Sequence, residues 1–232
     1  MNEPEQTPPA PPALPVLSAE EARVLGVLIE KATTTPEYYP LTLNAVVMAC
    51  NQKNNRHPLT AYDEATAVRA IDDLREKRLV AMVTGAGARV PKYRHLAAEQ
   101  IGLDERDIAV MAELLLRGPQ TVGELKNRAE RMAPLGDWDS VQAILDGLAT
   151  RSAPLVIRLP RQPGMKDCRY AHLLGGAVAV AMDEPAPLAE PVRAVVRAEQ
   201  ERLAVLEQEV AALKSELQVL RDEWTVFRRQ FE

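Results

Sequence analysis

Apolar positions in the middle of the chain follow a helical period twice, and each time the pattern then changes to that of strands. The first helical stretch uses Val24, Leu25, Leu28 and Ile29, and the second uses Ile108, Met111, Leu114 and Leu115. Such spacings of three and four predict helices with one buried face. Residues 79–84 and 90–96 after the first stretch, and 155–159 and 168–174 after the second, predict two β-hairpins.

Between each first helix and its hairpin, the sequence predicts two more helices. Ser18 and Asp104 are suited to cap the first helices, and Ser18 with Glu21 fits a capping box. A proline and then a threonine precede the second helices, predicted at 43–51 and 122–132. The third helices contain residues 67–74 and 141–148, which align at a constant offset of 74. The chain therefore contains an internal repeat.

Three helices and a hairpin, with a short second helix before a longer third, predict a winged helix. We therefore expect a mainly α fold with small β-hairpins, built as tandem winged-helix domains at residues 18–97 and 98–176. Before them, residues 1–17 form a proline-rich leader that we expect to be disordered. After them come a linker at 177–191 and a coiled-coil helix at 192–232.

The segment between the second and third helices of the first unit carries a family resemblance. Residues 51–58 spell Asn-Gln-Lys-Asn-Asn-Arg-His-Pro, which resembles the signature of the YceH-type bacterial proteins. The Leu-Ser-x-x-Glu start at 17–21, the Glu30-Lys31 and Thr35-Pro36 steps and the Tyr-x-His ends of both returning strands are similar too. The resemblance covers residues 17–175 and implies tandem winged helices without an established activity. Asn54 and His57 depart from the small polar residue and the acid expected there.

The distribution of charge makes nucleic acid a candidate partner. The chain has a net charge of −5, but residues 18–97 hold 11 Lys and Arg against 9 Asp and Glu. Residues 38–62 and 79–98 contain no acid, so the turn before the third helix and the first hairpin are basic. Phosphate contacts would fall there and on the second hairpin. The candidate residues for binding double-stranded DNA are Asn51, Lys53, Asn54, Asn55, Arg56, Arg69, Arg89, Lys92, Arg94, Arg158, Arg161 and Lys166.

The third helices, by contrast, are poorly suited to reading bases. The first contains Asp72, Asp73 and Glu76 beside its basic residues, and the second contains Asp139 and Asp146. We expect a DNA-associating protein with a regulatory role, for example in transcription. The alternative is a protein-interaction scaffold that uses winged helices without binding DNA, which the acidic total charge suits. For Lys53 and Arg56, a second interpretation is that the basic turn is capped and solvated and binds no phosphate.

Catalysis has little support in the sequence. No glycine-rich phosphate loop, HExxH or GxSxG motif is present. Cys50 and Cys168 belong to no CxxC pair, and the three histidines are not spaced around them as metal ligands. We expect no enzyme activity, no cofactor and no metal, with Cys50 as a buried small hydrophobe. No apolar run reaches the roughly 20 residues of a membrane span, and a cytoplasmic location is expected.

The pattern of the C-terminal tail predicts that it pairs with a second copy of the chain. Its apolar residues alternate at spacings of three and four, which defines the seam of a coiled coil. The seam residues are Leu203, Leu206, Val210, Leu213, Leu217, Leu220, Trp224 and Phe227, with Phe231 beyond them. In a parallel pair, the flanking charges meet as Arg202–Glu207, Glu209–Lys214, Glu216–Arg221 and Glu223–Arg228, all attractive. We expect a parallel homodimer; the alternative is one helix folded back onto the body.

Overall fold

The structure is a computed structural model that describes residues 14–84, 90–162 and 164–176. These residues lie within the first of the two units into which the chain divides, Met1–Ala179 and Val180–Glu232. The leader up to residue 13, the tip of the first hairpin, the linker and the tail therefore fall outside the described residues. So do Arg89 and the whole predicted coiled-coil seam.

The described residues contain the predicted repeat, and we refer to its halves as repeat one and repeat two. In repeat one the elements are α1 (Ala19–Thr34), a short 3₁₀ helix (Pro36–Tyr38), β1 (Leu41–Thr42), α2 (Leu43–Cys50), α3 (Glu64–Glu76), β2 (Val80–Val83) and β3 (Lys92–His95). After the connecting α4 (Ala97–Ile101), repeat two has α5 (Glu105–Arg117), β4 (Gln120–Thr121), α6 (Val122–Ala129), α7 (Trp138–Ala149), β5 (Val156–Arg158) and β6 (Arg169–His172).

Each repeat has one antiparallel sheet of three short strands. The strand orders are β1-β3-β2 and β4-β6-β5, so the returning strand of each hairpin lies in the middle. Leu41 lies opposite Tyr93 in the first sheet, and Gln120 lies opposite Tyr170 in the second. The predicted mainly α fold with small β-hairpins is confirmed. The strands β1 and β4 and the helix α4 were not predicted, because segments of two to five residues are too short to display a period.

Local side-chain caps explain where the helices begin. Ser18 and Glu21 form the predicted capping box, in which each side chain accepts a hydrogen bond from the other residue's backbone N–H. Asp104 accepts from the N–H groups of residues 106 and 107. Thr42 and Thr121 cap α2 and α6 in the same way, at the ends of β1 and β4. A threonine in this position thus ends a strand and begins a helix within one residue.

One hydrophobic core runs through both repeats. Its centre is the contact between α1 and α5, where a Cβ atom added to Gly26 would lie 3.0 Å from Cγ of Leu116. A larger residue there would separate the two helices, so the close approach depends on glycine. The ends also meet, because the N–H of Leu17 donates to the carbonyl of Leu174 at 2.6 Å. The two repeats are therefore packed as one body.

Two further expectations concern single features of this body. Cys50 is buried, as predicted, and burial raises the pKa of its thiol to about 12. Within the described ranges, no helix has the length and apolar character needed to cross a bilayer.

Candidate nucleic-acid interface

Arg56, the predicted phosphate ligand of the basic turn, is a buried structural residue. Its side chain is 0% exposed and forms a bidentate ion pair with Glu30 of α1, with N–O distances of 2.5 and 3.1 Å. The remaining guanidinium N–H groups donate to Gln52 and to the carbonyls of Ala49 and Asn55. All five donors are thus used. The prediction that Arg56 contacts nucleic acid is wrong, because no donor remains for a phosphate.

Two asparagines of the same turn also have structural roles. The Asn51 amide donates to the carbonyl of Tyr62 at 2.8 Å and accepts from its N–H at 2.7 Å, which ties the end of α2 to the start of α3. Asn55 has a left-handed backbone with φ of 59°, and its side-chain oxygen accepts from Arg117 of α5. Both side chains are half-buried and have partners within the protein, and their role as DNA ligands stays a prediction.

The remainder of the turn is on the surface. Gln52, Lys53, Asn54 and His57 are exposed, and Lys53 forms no ion pair with any described residue. Lys53 and Asn54 are thus the predicted turn ligands that keep access to a partner.

The basic turn instead joins the two repeats. In addition to the Asn55–Arg117 contact, the N–H of His57 donates to the carbonyl of Leu116 at 2.9 Å. Both partners lie in the last turn of α5. On the other side, Arg23 of α1 donates to the carbonyl of Pro58 at 2.6 Å. We call residues 51–58 the clasp, because they connect α1 of repeat one with α5 of repeat two.

Repeat two contains an equivalent of the buried arginine. The Arg131 Nε donates to the carbonyl of Arg128 at the end of α6, as Arg56 Nε does to Ala49 at the end of α2. Arg131 pairs with Glu113 of its own repeat at 2.6 Å and with Glu30 of repeat one at 2.7 Å. Because Glu30 and Glu113 are both buried, the junction between the repeats is an internal ion network.

The network sets the protonation of the Glu30 carboxylate. Burial acts to raise the pKa of Glu30, but the Arg56 hydrogen bonds and the charges of Arg56, Arg131 and Lys31 hold it below its ordinary value. Arg131 shows the complementary effect, since contacts with Glu113 and Glu30 outweigh burial and raise its pKa. Glu30 is therefore ionised at neutral pH and is paired with the surrounding arginines.

The first hairpin places two predicted ligands on one face. Lys92 and Arg94 are two residues apart on β3 and project to the same side of the sheet, while Tyr93 between them packs against the core. Lys92 is exposed and forms no ion pair with a described residue. Arg94 lies 3.5 Å from Glu99 of α4. Lys92 is therefore the stronger of the two candidates for a phosphate contact.

The second hairpin is richer in accessible cations. Arg158, Arg161 and Lys166 are all exposed, and no carboxylate of the described residues pairs with them. Arg158 lies at the end of β5, where its guanidinium donates to Sγ of Cys168 at 3.4 Å. The three residues follow the strand and its loop, so the structure brings them to one hairpin as predicted.

The third helix of each repeat exposes acids. Arg69 of α3 is exposed and lies within reach of Thr66, with Asp72 and Glu76 also exposed on the helix. On α7, the exposed residues include Asp139 and Asp146 but no cation. The negative charges of these helices would repel a phosphate backbone. The hairpins and the turn are therefore the better candidates for phosphate contacts.

Sequence reasoning missed the basic residues of the junction. Arg117, Arg128 and Arg131 come from α5, from α6 and from the segment after α6, so nothing in their spacing connects them with Lys53. One signal was available: Glu30 directly follows Leu28 and Ile29 on the apolar face of the first helix. A carboxylate at such a position requires a buried cationic partner.

Comparison with known proteins matches most of the chain to relatives without an assigned activity. Residues 17–165 match a family model described as "Protein of unknown function, DUF480". A UPF0502 protein of Geobacter metallireducens is 57% identical over 94% of this chain and 99% of its own length. One from Geotalea uraniireducens is 54% identical over 93% and 98%, and one from Opitutus terrae is 50% identical over 86% and 84%. The predicted relationship to an uncharacterised bacterial family is confirmed.

Proposed function

The chain belongs to the DUF480 family, and from its surface we propose that it is a non-enzymatic protein that associates with duplex DNA in a regulatory role. We propose further that each repeat is a winged helix. In support, the order of helix, strand, two helices and two strands occurs in both repeats. The hairpins β2–β3 and β5–β6 would be the wings, and α3 and α7 the third helices that usually enter the major groove.

One observation carries the DNA proposal: the accessible cations of turn and wings lack carboxylate partners. Within the described residues, no ion pair involves the following exposed side chains: Lys53, Arg69, Lys92, Arg158, Arg161 and Lys166. Elsewhere on these repeats, cations such as Arg75 and Lys126 pair with nearby acids. Cations left without partners are available to replace the counterions of a phosphate backbone, which is the main source of affinity for DNA.

The same surface favours contacts to the backbone over the reading of bases. Asp139 and Asp146 occupy the exposed side of α7, and Asp72 and Glu76 that of α3. Arg69 is the one predicted ligand on a third helix. Phosphate contacts position a protein without reading sequence, so we propose association with little dependence on DNA sequence.

A titration of the full chain against a fluorescently labelled duplex of about 30 base pairs tests this proposal. We expect binding at 50 mM salt that weakens in Lys92→Gln/Arg161→Gln, which removes one cation from each wing. The matched control, Arg75→Gln/Arg106→Gln, removes the same charge from two exposed helical positions and should bind like wild type. No binding of wild type at 50 mM salt would overturn the proposal.

A second function, a protein-interaction scaffold, is favoured by a separate observation. Tyr38, Met48 and Leu59 of repeat one are each more than 60% exposed. Large apolar side chains at that exposure suit a protein partner better than a phosphate backbone. If the DNA titration fails, Met48→Ser/Leu59→Ser becomes the informative variant: its loss of partners recovered from cells, with wild-type stability, would support the scaffold.

We also propose that the tail joins two chains. Its support is the unbroken seam from Leu203 to Phe227, together with flanking charges that attract only in parallel register. Sedimentation equilibrium should give twice the chain mass for the full protein and the single mass for a truncation after Pro191. If the full protein and the truncation both sediment with the mass of a single chain, a dimer is contradicted and the folded-back helix is favoured.

A further inference from the structure

Four basic side chains from separate elements meet where the two repeats join. Lys31 lies in the last turn of α1, Arg117 ends α5, Arg128 lies near the end of α6, and Arg131 follows that helix. We call these four residues the junction face. They are connected through shared partners: Lys31 and Arg131 contact Glu30 at 3.7 and 2.7 Å, and Arg117 and Arg131 contact Glu113 at 3.3 and 2.6 Å.

Arg128 joins the same group through glutamine. Its guanidinium donates to the side-chain oxygen of Gln120 at 2.7 Å, and the amide nitrogen of Gln120 donates to the carbonyl of Glu113 at 3.0 Å. Its backbone carbonyl also accepts from Arg131. Hydrogen bonds therefore link Arg128 and Arg131, and Arg117 joins them through its ion pair with Glu113.

The charges of this unit are sorted by depth. The carboxylates of Glu30 and Glu113 are at most 1% exposed, whereas the side chains of the four cations are between 18% and 34% exposed. Including buried Arg56 and half-buried Glu124, five cations face three carboxylates. In the pairs with Glu30 and Glu113, solvent contacts mainly the cation, whereas Glu124, 3.2 Å from Arg128, is as exposed as that arginine. The group as a whole has an excess of two positive charges.

The pKa of Arg117 reflects crowding among the guanidinium groups. Burial lowers the pKa of Arg117, and although Glu113 raises it, the like charges of Arg128, Arg131 and Arg56 lower it further. An additional anion would relieve this repulsion. Because the guanidinium groups are already ordered, binding such an anion would cost little side-chain entropy.

We propose that the junction face binds the phosphodiester backbone of duplex DNA, as a contact surface in addition to turn and wings. The inference rests on the proposed function and adds a specific route for the backbone, over the contact between the repeats. Lys53 in the clasp is exposed and directly follows Gln52, whose side-chain oxygen accepts a hydrogen bond from Lys31 at 3.5 Å. Arginine suits the role because its planar group can donate two parallel hydrogen bonds to a phosphate.

The slope of log affinity against log salt for the full chain tests this contact. Each phosphate contact adds about 0.9 to the magnitude of the slope for B-form DNA. Lys31→Gln/Arg128→Gln should therefore make the slope shallower by about 2. The charge-retaining variant Lys31→Arg/Arg128→Lys should preserve it, and Arg75→Gln/Arg106→Gln serves as the charge-matched control. Thermal unfolding of each variant verifies that the body is folded.

The outcomes separate the inference from the proposed function. A shallower slope for the neutral junction variant, with wild-type slopes for the charge-retaining and control variants, supports the junction contact. A wild-type slope for the neutral junction variant, while the wing variant Lys92→Gln/Arg161→Gln loses affinity, overturns the junction contact and keeps DNA association. If the neutral double variant fails to fold, the single variants Lys31→Gln and Arg128→Gln replace it, and wild-type slopes for both overturn the junction contact.

Discussion

Arg56→Met is the perturbation that tests the structural role of the clasp. The variant removes a guanidinium with a fully buried side chain and leaves the buried carboxylate of Glu30 without its bidentate partner. Removal of one member of a buried ion pair costs about 3–5 kcal/mol. We expect the lower end, about 3 kcal/mol, because Arg131 and Lys31 still contact Glu30.

The assay is thermal unfolding of the full chain at neutral pH, followed by circular dichroism. For a body of this size, a loss of about 3 kcal/mol corresponds to a decrease in Tm of roughly 6–12 °C. Lys53→Met is the matched control, because Lys53 lies three residues earlier in the same turn, is exposed and forms no ion pair with a described residue. Its free energy of unfolding should change by less than about 0.5 kcal/mol.

A double-mutant cycle refines the test. Glu30→Met/Arg56→Met should lose less stability than the sum of the two single variants, because it leaves neither member of the pair with an unmet charge. If the Tm of Arg56→Met equalled that of wild type, or were lowered no more than the Tm of Lys53→Met, the reasoning on the clasp would be refuted.

Three further predictions concern the same body. Gly26→Ala should lower the free energy of unfolding by about 1–3 kcal/mol, because the added methyl group overpacks against Leu116. Gly147 of α7 has open space around it, so Gly147→Ala should raise the free energy of unfolding by up to about 1 kcal/mol. Urea unfolding of both variants and of wild type measures the two changes. Burial lowers the pKa of His172 to about 4, so the unfolded chain binds more protons between pH 4 and about 6.5 and stability falls as the pH is lowered through that window. His172→Gln should flatten this fall in Tm, and an equal effect from exposed His57→Gln would contradict the assignment. Asn51→Ala should cost about 1–3 kcal/mol in chemical denaturation, because it leaves the N–H of Tyr62 without its acceptor.

The fold was accessible from the sequence because its determinants are local. Ser18, Thr42 and Thr121 cap helices within three residues of themselves, and the apolar periods mark the buried faces directly. The short strands β1 and β4 escaped prediction because their pairing is with residues about 50 positions later, such as Leu41 with Tyr93. Long-range pairing of two residues leaves no periodic signal.

In the candidate site, too, residues with local determinants could be predicted and residues with long-range partners could not. Lys92, Arg161 and Lys166 are exposed on hairpins as expected, since hairpin residues with no apolar partner remain in solvent. Arg56 could not be assigned from the turn alone, because a phosphate-binding arginine and a buried one look identical in sequence. Its carboxylate partner lies 26 residues earlier on another helix. The junction face combines Lys31 with residues 117–131 of the other repeat, and this combination required the structure.

The salt dependence of DNA binding by the full wild-type chain tests the central claim most directly. With about five or six phosphate contacts, a plot of log affinity against log salt between 50 and 200 mM should have a slope of roughly −4 to −6. Such a slope, independent of duplex sequence, is the predicted result. A slope near zero, or no measurable binding at 50 mM salt, would contradict association through phosphate contacts.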